Sequence, residues 1–329
     1  MNPLIKKIFL LLVFLIFPCA PAFAGITDYR PIFVPFYEAN HLKIAIRSFE
    51  RDAKKELLVL DPESFETAVV SADAVNLNKS YGIGLRHLRA TPFYNALVKY
   101  TAAPVKLQNH GIVKGEGRGI FITVDMCPSD KPFDKAMFEA LAAQPGLEAR
   151  PAPVAVAISG DWLKNHPKEF KWLLEMIRTN KLDVTWVNHS YSHPYEKGAP
   201  LKRNFLLKKS VDFDNEVLAN EVLMIDSGIL PSPFFRFPGL VANTEVMEKL
   251  KTLSLIPIGS NAWLSKGESP AQGGIILVHG NGNEPGGIKR LLKFLDAKKA
   301  AFKNHELTLD SLKNAFVAGK DAKDGNMVR

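Results

Sequence analysis

Two histidines separated by three residues follow a short apolar stretch, and they are the clearest chemical signal in the chain. His189 and His193 come directly after the strand-like run 184–187. If the backbone turns helically there, side chains at i and i+4 share a face, so both imidazoles can converge on one ion. Paired imidazoles are a common core of zinc sites. Zinc proteases with this spacing carry a glutamate after the first histidine, and Ser190 stands there instead, which argues against protease chemistry.

Three further polar residues stand at or near the ends of apolar, strand-like runs. They are Asp125, Arg236 and His279. Taken singly, each is explained as well by a turn residue, a surface charge or a half-buried imidazole. Strand ends of a parallel α/β fold face a common cleft, so we expect the three to lie near the histidine pair.

The chain from about residue 118 alternates strand-like and helix-like patterns. Repeated βα units predict a mostly parallel sheet wrapped by helices, either open or closed into a barrel. The expected strands are 119–124, 154–158, 184–187, 234–237, 255–259 and 274–278, and the expected helices are 135–143, 166–179, 213–227, 244–253 and 287–296.

Residues 25–115 form a first region rich in short β-like pieces, at 31–36, 42–47, 57–60 and 67–70, with a helix at 91–100. Turns rich in Asp, Pro and Asn separate the pieces. The pattern leaves two alternatives open, a small accessory domain or strands that decorate the main fold.

The N-terminus has the pattern of a secretory signal. Lys6 and Lys7 precede an apolar run, 8–17, and Ala22-Phe23-Ala24 forms a small-x-small cleavage site before Gly25. The run is short for a membrane span, although an uncleaved anchor is the alternative. We therefore expect an exported protein, in the periplasm or outside the cell, with no stable membrane span after cleavage.

Removal of residues 1–24 would leave about 305 of the 329 residues, enough for a catalytic domain with a companion region. Cys19 would leave with the signal and Cys127 would remain alone, so no intramolecular disulfide is expected. The formal charge of +8 falls to +6 without Lys6 and Lys7. The basic residues are dispersed and no nucleic-acid motif occurs, so we predict no nucleic-acid partner. The oligomeric state stays open.

Four short motifs occur in order along residues 118–296. Their residues are Thr123-Val124-Asp125-Met126-Cys127, His189-Ser190-Tyr191-Ser192-His193, Arg236-Phe237-Pro238 and Leu277-Val278-His279. Together they resemble the polysaccharide deacetylase family, also called the NodB-homology or family 4 carbohydrate esterase domain. The resemblance covers about residues 118–296 and implies an incomplete or distorted (β/α) barrel, which the β-rich first region would precede as an N-terminal extension. With the patterns described above, we expect a signal peptide at 1–24, an accessory region at 25–115, the deacetylase-like domain at 116–300 and a charged tail at 301–329.

The resemblance also implies a reaction, the metal-assisted hydrolysis of N-acetyl groups on a glycan such as peptidoglycan or another surface polysaccharide. His189 and His193 would bind a divalent ion, most simply Zn²⁺. Asp125 would be the general base, Arg236 would keep its carboxylate ionised, and His279 would be the general acid.

Two further residues take roles in the substrate groove by the same resemblance. The backbone N–H of Gly239 would be the oxyanion donor. Many relatives have a tyrosine at this position, so glycine is expected to enlarge the groove. Trp263 would line the groove, although a tryptophan buried in the core fits its sequence context equally well.

The first motif departs from the family at Met126, where relatives have the carboxylate that completes the metal site. A thioether is a poor ligand for a hard or borderline ion. Three outcomes are open: Asp125 turns to the metal; a carboxylate comes from elsewhere, such as Asp130 or Asp134; or the site has lost its metal and the protein binds glycan or serves envelope assembly without catalysis. Cys127 can also reach an ion, but we favour a buried thiol.

Overall fold

The computed structural model describes residues 25–75, 85–116, 119–147 and 150–316. The signal peptide predicted at 1–24 lies outside these residues. Two sheets form in the described part of the chain, one of four antiparallel strands and one of seven parallel strands. The four-stranded sheet runs in sequence order through β1 (Thr27–Glu38), β2 (His41–Arg51), β3 (Lys54–Leu60) and β4 (Thr67–Ser71).

The seven-stranded sheet confirms the predicted α/β fold class. Its strands are β5 (Phe121–Met126), β6 (Ala152–Ile158), β7 (Leu182–Asn188), β8 (Phe234–Phe235), β9 (Ile256–Pro257), β10 (Ala262–Trp263) and β11 (Ile275–His279). Their spatial order is β10-β11-β5-β6-β7-β8-β9, and every neighbouring pair is parallel. In the described residues β9 and β10 remain edge strands, so the barrel is incomplete, as expected.

The helices from residue 135 onward cover the outer face of this sheet, several of them beginning at polar caps, whereas the two helices before residue 102 pack on its inner face. Asp134, Ser159, Asp212 and Asn243 each accept a hydrogen bond from the first turn of the helix that follows. The helices are α1 (Leu85–Ala90), α2 (Pro92–Thr101), α3 (Lys135–Ala142), α4 (Gly160–Asn165), α5 (Pro167–Arg178), α6 (Phe213–Asp226), α7 (Thr244–Thr252), α8 (Pro285–Ala297) and α9 (Lys299–Lys303).

The side chains of β5 divide between the two faces of the sheet with the period of two that a strand imposes. Ile122, Val124 and Met126 pack in the cluster that the outer helices cover. Phe121 packs in a second cluster on the inner face. Asp125 shares the inner face with Phe121, because the two are four residues apart.

The N-terminal sheet fills the inner face at the start of the parallel strands. Ile44, Phe49 and Leu58 of the first region belong to one buried cluster with Phe121 and Phe234. The first region and the parallel sheet thus share a core on the inner face.

A buried ion pair fastens the first region to α6. Arg47 Nε and Nη2 donate to Glu221 Oε2 and Oε1 at 2.7 and 2.9 Å, and both side chains are buried. Arg47 Nη1 also donates to the Leu253 carbonyl at 2.8 Å, and Tyr29 Oη donates to Glu221 Oε2 at 2.9 Å. Every polar contact of this pair is therefore made inside the protein.

The segment 108–115 crosses the open side of the sheet. Ile112 donates its N–H to Pro257 of β9 and accepts from Gly259, while Val113 accepts from Ile275 of β11. This segment therefore links the two sides of the incomplete barrel through backbone hydrogen bonds.

Residues 302–316 pack onto the core, although their charge suggested a solvated tail. Phe302, Leu309, Leu312 and Ala315 are buried, and Leu309 forms a β-bridge with Ile120. A 3-10 helix, Leu312–Phe316, ends this segment. Among the described residues, no helix has the length and apolar character needed to cross a membrane.

Candidate active site

A cavity of about 720 Å³ opens where the parallel strands end. Side chains that follow five different strands line it, because the strands share one direction and their carboxyl ends meet at one edge. Its polar and aromatic lining residues include Asp125, Cys127, His189, His193, Trp263, His279 and Glu284.

The two histidines lie in a loop after β7, without the helical turn that would have aligned them. Ser190 and His193 adopt left-handed backbone conformations, with φ of 62° and 47°. These values bend the loop so that the two imidazole rings lie 4.7 Å apart, centroid to centroid. Positive φ is uncommon for residues other than glycine, and such strain concentrates at functional sites.

Helix α6 holds this loop through buried polar contacts. Glu216 accepts hydrogen bonds from Ser192, from its N–H at 2.9 Å and from its hydroxyl at 2.5 Å. Asn220 donates to Asn188 Oδ1 at 2.8 Å, and that oxygen also accepts from the Ser190 N–H at 3.0 Å. The carboxylate and the two amides therefore support the strained backbone on either side of His189.

A backbone carbonyl orients the His189 ring. Nδ1 lies 2.7 Å from the Arg236 oxygen, which can only accept, so Nδ1 carries the proton and Nε2 faces the cavity with its lone pair. Burial lowers the pKa of His189 below its ordinary value, against the opposing effect of Asp125. The ring is therefore neutral and presents Nε2 in the form that binds a metal.

Three ligand atoms converge in the cavity. The donor atoms of Cys127, His189 and His193 all lie within 4.8 Å of one another, and Cys127 Sγ is 3.5 Å from His189 Nε2. Burial raises the pKa of Cys127, but His193 and His279 outweigh it and lower the pKa to about 7. The imidazoles around the Cys127 thiol therefore favour its thiolate form, which is the form that binds metals.

The carboxylates considered as replacements for the missing ligand lie outside this cluster. Asp134 caps α3 by accepting from the Met137 N–H at 2.8 Å, and Asp130 is exposed to solvent. Asp125 is nearer, with Oδ2 3.8 Å from His189 Nε2. Within the described residues, the three convergent donors are two imidazoles and a thiol.

Asp125 is buried beside a buried arginine. Its Oδ1 lies 3.8 Å from Arg236 Nη1 and has no hydrogen-bond partner among the described residues. Arg236 Nη2 donates to Thr123 Oγ1 at 2.7 Å, which holds the guanidinium against β5. Burial lowers the pKa of Arg236, but Asp125 opposes that effect. Arg236 thus faces Oδ1, and the other carboxylate oxygen, Oδ2, lies on the side of His189.

His279 faces Asp125 across the β11–β5 pair and contacts a second carboxylate. The two residues are directly paired in the register, and His279 Nδ1 lies 2.9 Å from Glu284 Oε2 without the alignment of a linear hydrogen bond. Burial lowers the pKa of His279, but Cys127 and then Glu284 outweigh it and raise the pKa well above its ordinary value. Cys127 and Glu284 therefore both favour the protonated imidazole.

Trp263 lies in the cavity wall, half-buried, and packs on His279. The two rings are 6.1 Å apart at 30°, and Trp263 Nε1 donates to Glu284 Oε2 at 2.7 Å. The indole thus helps to hold Glu284 and presents apolar surface to the cavity.

Gly239 also lines the cavity, with a left-handed φ of 61°. A Cβ there would lie 2.5 Å from the Phe205 ring, so Phe205 fills the space that a side chain at 239 would take. The expectation that glycine enlarges the groove is therefore wrong, because the aromatic ring comes from another loop.

The comparisons with known proteins concern the fold. The structure is similar to those of family 4 carbohydrate esterases. A family 4 carbohydrate esterase from Bacillus anthracis is 16% identical, with a TM-score of 0.46, over 69% of this chain and 92% of that one. PdaA of Bacillus subtilis, of the same family, is 17% identical, with a TM-score of 0.45, over 67% and 87%.

There are two further matches, one to a solved structure and one to a family model for the N-terminal region. A family 4 pseudoenzyme from Bacillus anthracis is 12% identical, with a TM-score of 0.43, over 69% of this chain and 81% of that one. A family model described as the RP012 protein N-terminal domain matches residues 27–81.

Three residues of the site were missed or undervalued in the sequence. Cys127 was expected to be a buried thiol that could also reach an ion; it is buried, and its position two residues after Asp125 places it in the same cavity. Glu284 stands five residues after His279 at the start of a helix and carried no motif. Phe205 lies in a long polar connection between β7 and α6, and no local pattern pointed to it.

Proposed function

We propose that this chain is an exported, metal-dependent hydrolase that removes acetyl groups from an N-acetylated glycan, such as peptidoglycan or another surface polysaccharide. One observation carries the proposal: two imidazoles and a thiol converge in one cavity, with a buried carboxylate, Asp125, and a further histidine, His279, which is paired with Glu284, beside them. Amide hydrolysis needs a proton acceptor for water and a proton donor for the amine, and both are present here.

The donor set fits a divalent ion. Ligand atoms about 2.0 and 2.3 Å from a tetrahedral zinc ion lie roughly 3.5 Å apart, and Cys127 Sγ and His189 Nε2 are 3.5 Å apart. His189 and His193 would hold the ion. When bound, such an ion supplies Lewis-acid chemistry, which polarises an amide carbonyl and makes water easier to deprotonate.

The proton transfers fall to two residues on adjacent strands. Asp125 accepts the proton of the attacking water through Oδ2, the oxygen that lies 3.8 Å from His189 Nε2, while Arg236 faces its other oxygen, Oδ1, at 3.8 Å. His279 donates a proton to the leaving amine, and Glu284 keeps the imidazole charged and oriented. Both groups reach the same bond because His279 and Asp125 are paired across β11 and β5.

Aromatic side chains in the cavity wall support the assignment of a glycan substrate. Trp263 and the exposed Tyr195 line the cavity, and the Gly239 backbone N–H is the donor we assign to the oxyanion. Flat aromatic faces suit the apolar faces of sugar rings, and the open cavity admits a polymer.

The test is metal analysis of the purified protein combined with an assay of acetate release from N-acetylglucosamine oligomers. We expect bound zinc, acetate release, and loss of release after chelation. Asp125→Asn and His279→Ala should each lower turnover about 10²–10⁴-fold, while Asp130→Asn, the same change on an exposed neighbour, leaves it unchanged.

Two results would contradict the proposal. Glycan binding without acetate release would instead support a non-catalytic glycan-binding or envelope protein. A metal-loaded protein that neither binds nor deacetylates N-acetylated glycans would indicate another amide as the substrate.

A further inference from the structure

The residue directly after Asp125 cannot serve the site. Met126 is fully buried in the outer core, next to Val124 and Met137. Its Sδ lies so close to Gly280 that a Cβ there would be 2.9 Å away. The period of two along β5 therefore sends this side chain to the helices and away from the cavity.

The same period of two brings the next residue back to the cavity. Cys127 lines the cavity together with Asp125. The backbone carbonyls of Met126 and Cys127 both accept hydrogen bonds from side chains. Asn281 Nδ2 donates to the Cys127 carbonyl at 2.6 Å, and Ser159 Oγ donates to the Met126 carbonyl at 2.9 Å. The backbone that carries the Cys127 side chain is thus held by hydrogen bonds from two side chains.

Two features of the histidines aim them at this sulfur. His189 Nδ1 is bound to the Arg236 carbonyl, which leaves Nε2 facing Sγ at 3.5 Å. The strained loop brings a nitrogen of His193 within 4.8 Å of both atoms. A buried thiol that only filled space would need neither the ring orientation nor the strain.

We infer that Cys127 is the third protein ligand of the metal site, so that two imidazoles and one thiolate bind the ion. This inference rests on the proposed function for the presence of a metal. Thiolate is a soft donor, so the set selects zinc, or cobalt as its probe, over magnesium, calcium and manganese. It also leaves Asp125 outside the ligand set and free to act as the base.

The test is cobalt substitution of the whole purified chain, read by absorption. Thiolate ligation gives Co²⁺ an intense sulfur-to-metal charge-transfer band in the near ultraviolet, which nitrogen and oxygen ligands do not give. We expect the band in the wild type and its loss in Cys127→Ser and Cys127→Asp. Cys127→Ala should weaken zinc binding at least about 100-fold, more than the roughly 10–100-fold that loss of an outer-shell contact costs.

Met126→Leu is the matched control, because it changes the adjacent residue on the opposite face and should keep both the band and the zinc. Zinc should also protect Cys127 from iodoacetamide in the folded protein. Circular dichroism of each variant shows whether it is folded, and Cys127→Asp, which retains a metal donor without sulfur, keeps the test valid if Cys127→Ala unfolds.

The outcomes separate this inference from the proposed function. Cobalt bound without the band, together with acetate release, would overturn the thiolate ligand and leave the hydrolase standing. The band without acetate release would support the ligand set and contradict the hydrolase. Failure to bind zinc or cobalt would overturn both.

Discussion

Nδ1 of His279 lies 2.9 Å from Oε2 of Glu284, and the same oxygen accepts hydrogen bonds from Trp263 Nε1 and Ser265 Oγ at 2.7 and 2.5 Å. Burial raises the pKa of Glu284, but His279, Ser265 and Trp263 outweigh it and lower the pKa to about 2. One carboxylate thus connects the proposed acid to the wall of the groove.

Replacement of this carboxylate by an amide should impair turnover more than binding. In Glu284→Gln the imidazolium loses its negative partner, so we expect kcat to fall about 10–100-fold, less than the roughly 10²–10⁴-fold expected for loss of the acid itself. KM should change little, because the amide can still accept from Trp263 and Ser265. Steady-state acetate release measures both constants, with the exposed Glu139→Gln as control. Unchanged kcat would show that His279 does not need Glu284.

The same residue predicts a dependence of stability on pH. The folded pKa of about 2 lies below the ordinary value of about 4.3. Ionised Glu284 therefore stabilises the fold above about pH 4.3, and this contribution is lost as the pH falls toward 2. After allowance for partial exposure, it amounts to about 1–2 kcal/mol.

Urea unfolding of the wild type and Glu284→Gln over pH 2–7 measures this contribution. The difference in their free energies of unfolding should be largest near neutral pH and should shrink below about pH 4.3. A difference that stays constant over the whole range would contradict the ion pair.

The proposed metal site predicts that replacing different histidines has different effects on zinc retention and turnover. His189→Ala and His193→Ala should each abolish zinc retention, because each removes a donor from a set of three convergent atoms. His279→Ala should retain zinc and lose turnover. Elemental analysis after dialysis measures the metal, with the exposed His41→Ala as control. Retention of zinc by both His189→Ala and His193→Ala would place the metal elsewhere.

Restoring a carboxylate after Asp125 should not repair the site. Met126→Asp would bury an unpaired carboxylate in the outer core, because this side chain faces Val124 and Met137. We expect it to lower the free energy of unfolding by several kcal/mol, whereas Met126→Leu should cost less than about 1.5 kcal/mol. Chemical denaturation measures both. A stable Met126→Asp with higher metal affinity would show that the strand end can rotate.

The buried pair that joins the first region to α6 predicts a non-additive double mutant. Arg47→Met leaves the buried Glu221 carboxylate without its cation, with the Tyr29 hydroxyl still donating to it, which should cost about 3–5 kcal/mol. Adding Glu221→Met removes that charge, so the double variant should be at least about 1 kcal/mol more stable than Arg47→Met. Denaturation of the two single variants and the double variant measures the coupling. Strict additivity would mean that the two side chains do not interact.

Most elements were predictable because their signals are local. The strand expected at 154–158 forms as β6, Ala152–Ile158, and the helix expected at 166–179 forms as α5, Pro167–Arg178. β10, Ala262–Trp263, was missed as a strand because two residues carry too little alternation to be recognised. The sequence also could not predict how residues 25–115 pack on the rest of the chain, because a shared core depends on contacts between distant segments.

By itself the sequence determined which residues stand at strand ends, because alternation and apolar periodicity are properties of neighbouring residues. In this way it singled out Asp125, His189 and His279. Only the tertiary structure decided which atoms face one another. Cys127 meets His189 through the β5–β6–β7 order and a left-handed loop, and Glu284 reaches His279 because a helix begins where it does. These contacts arise from the packing of separate elements, which no local pattern encodes.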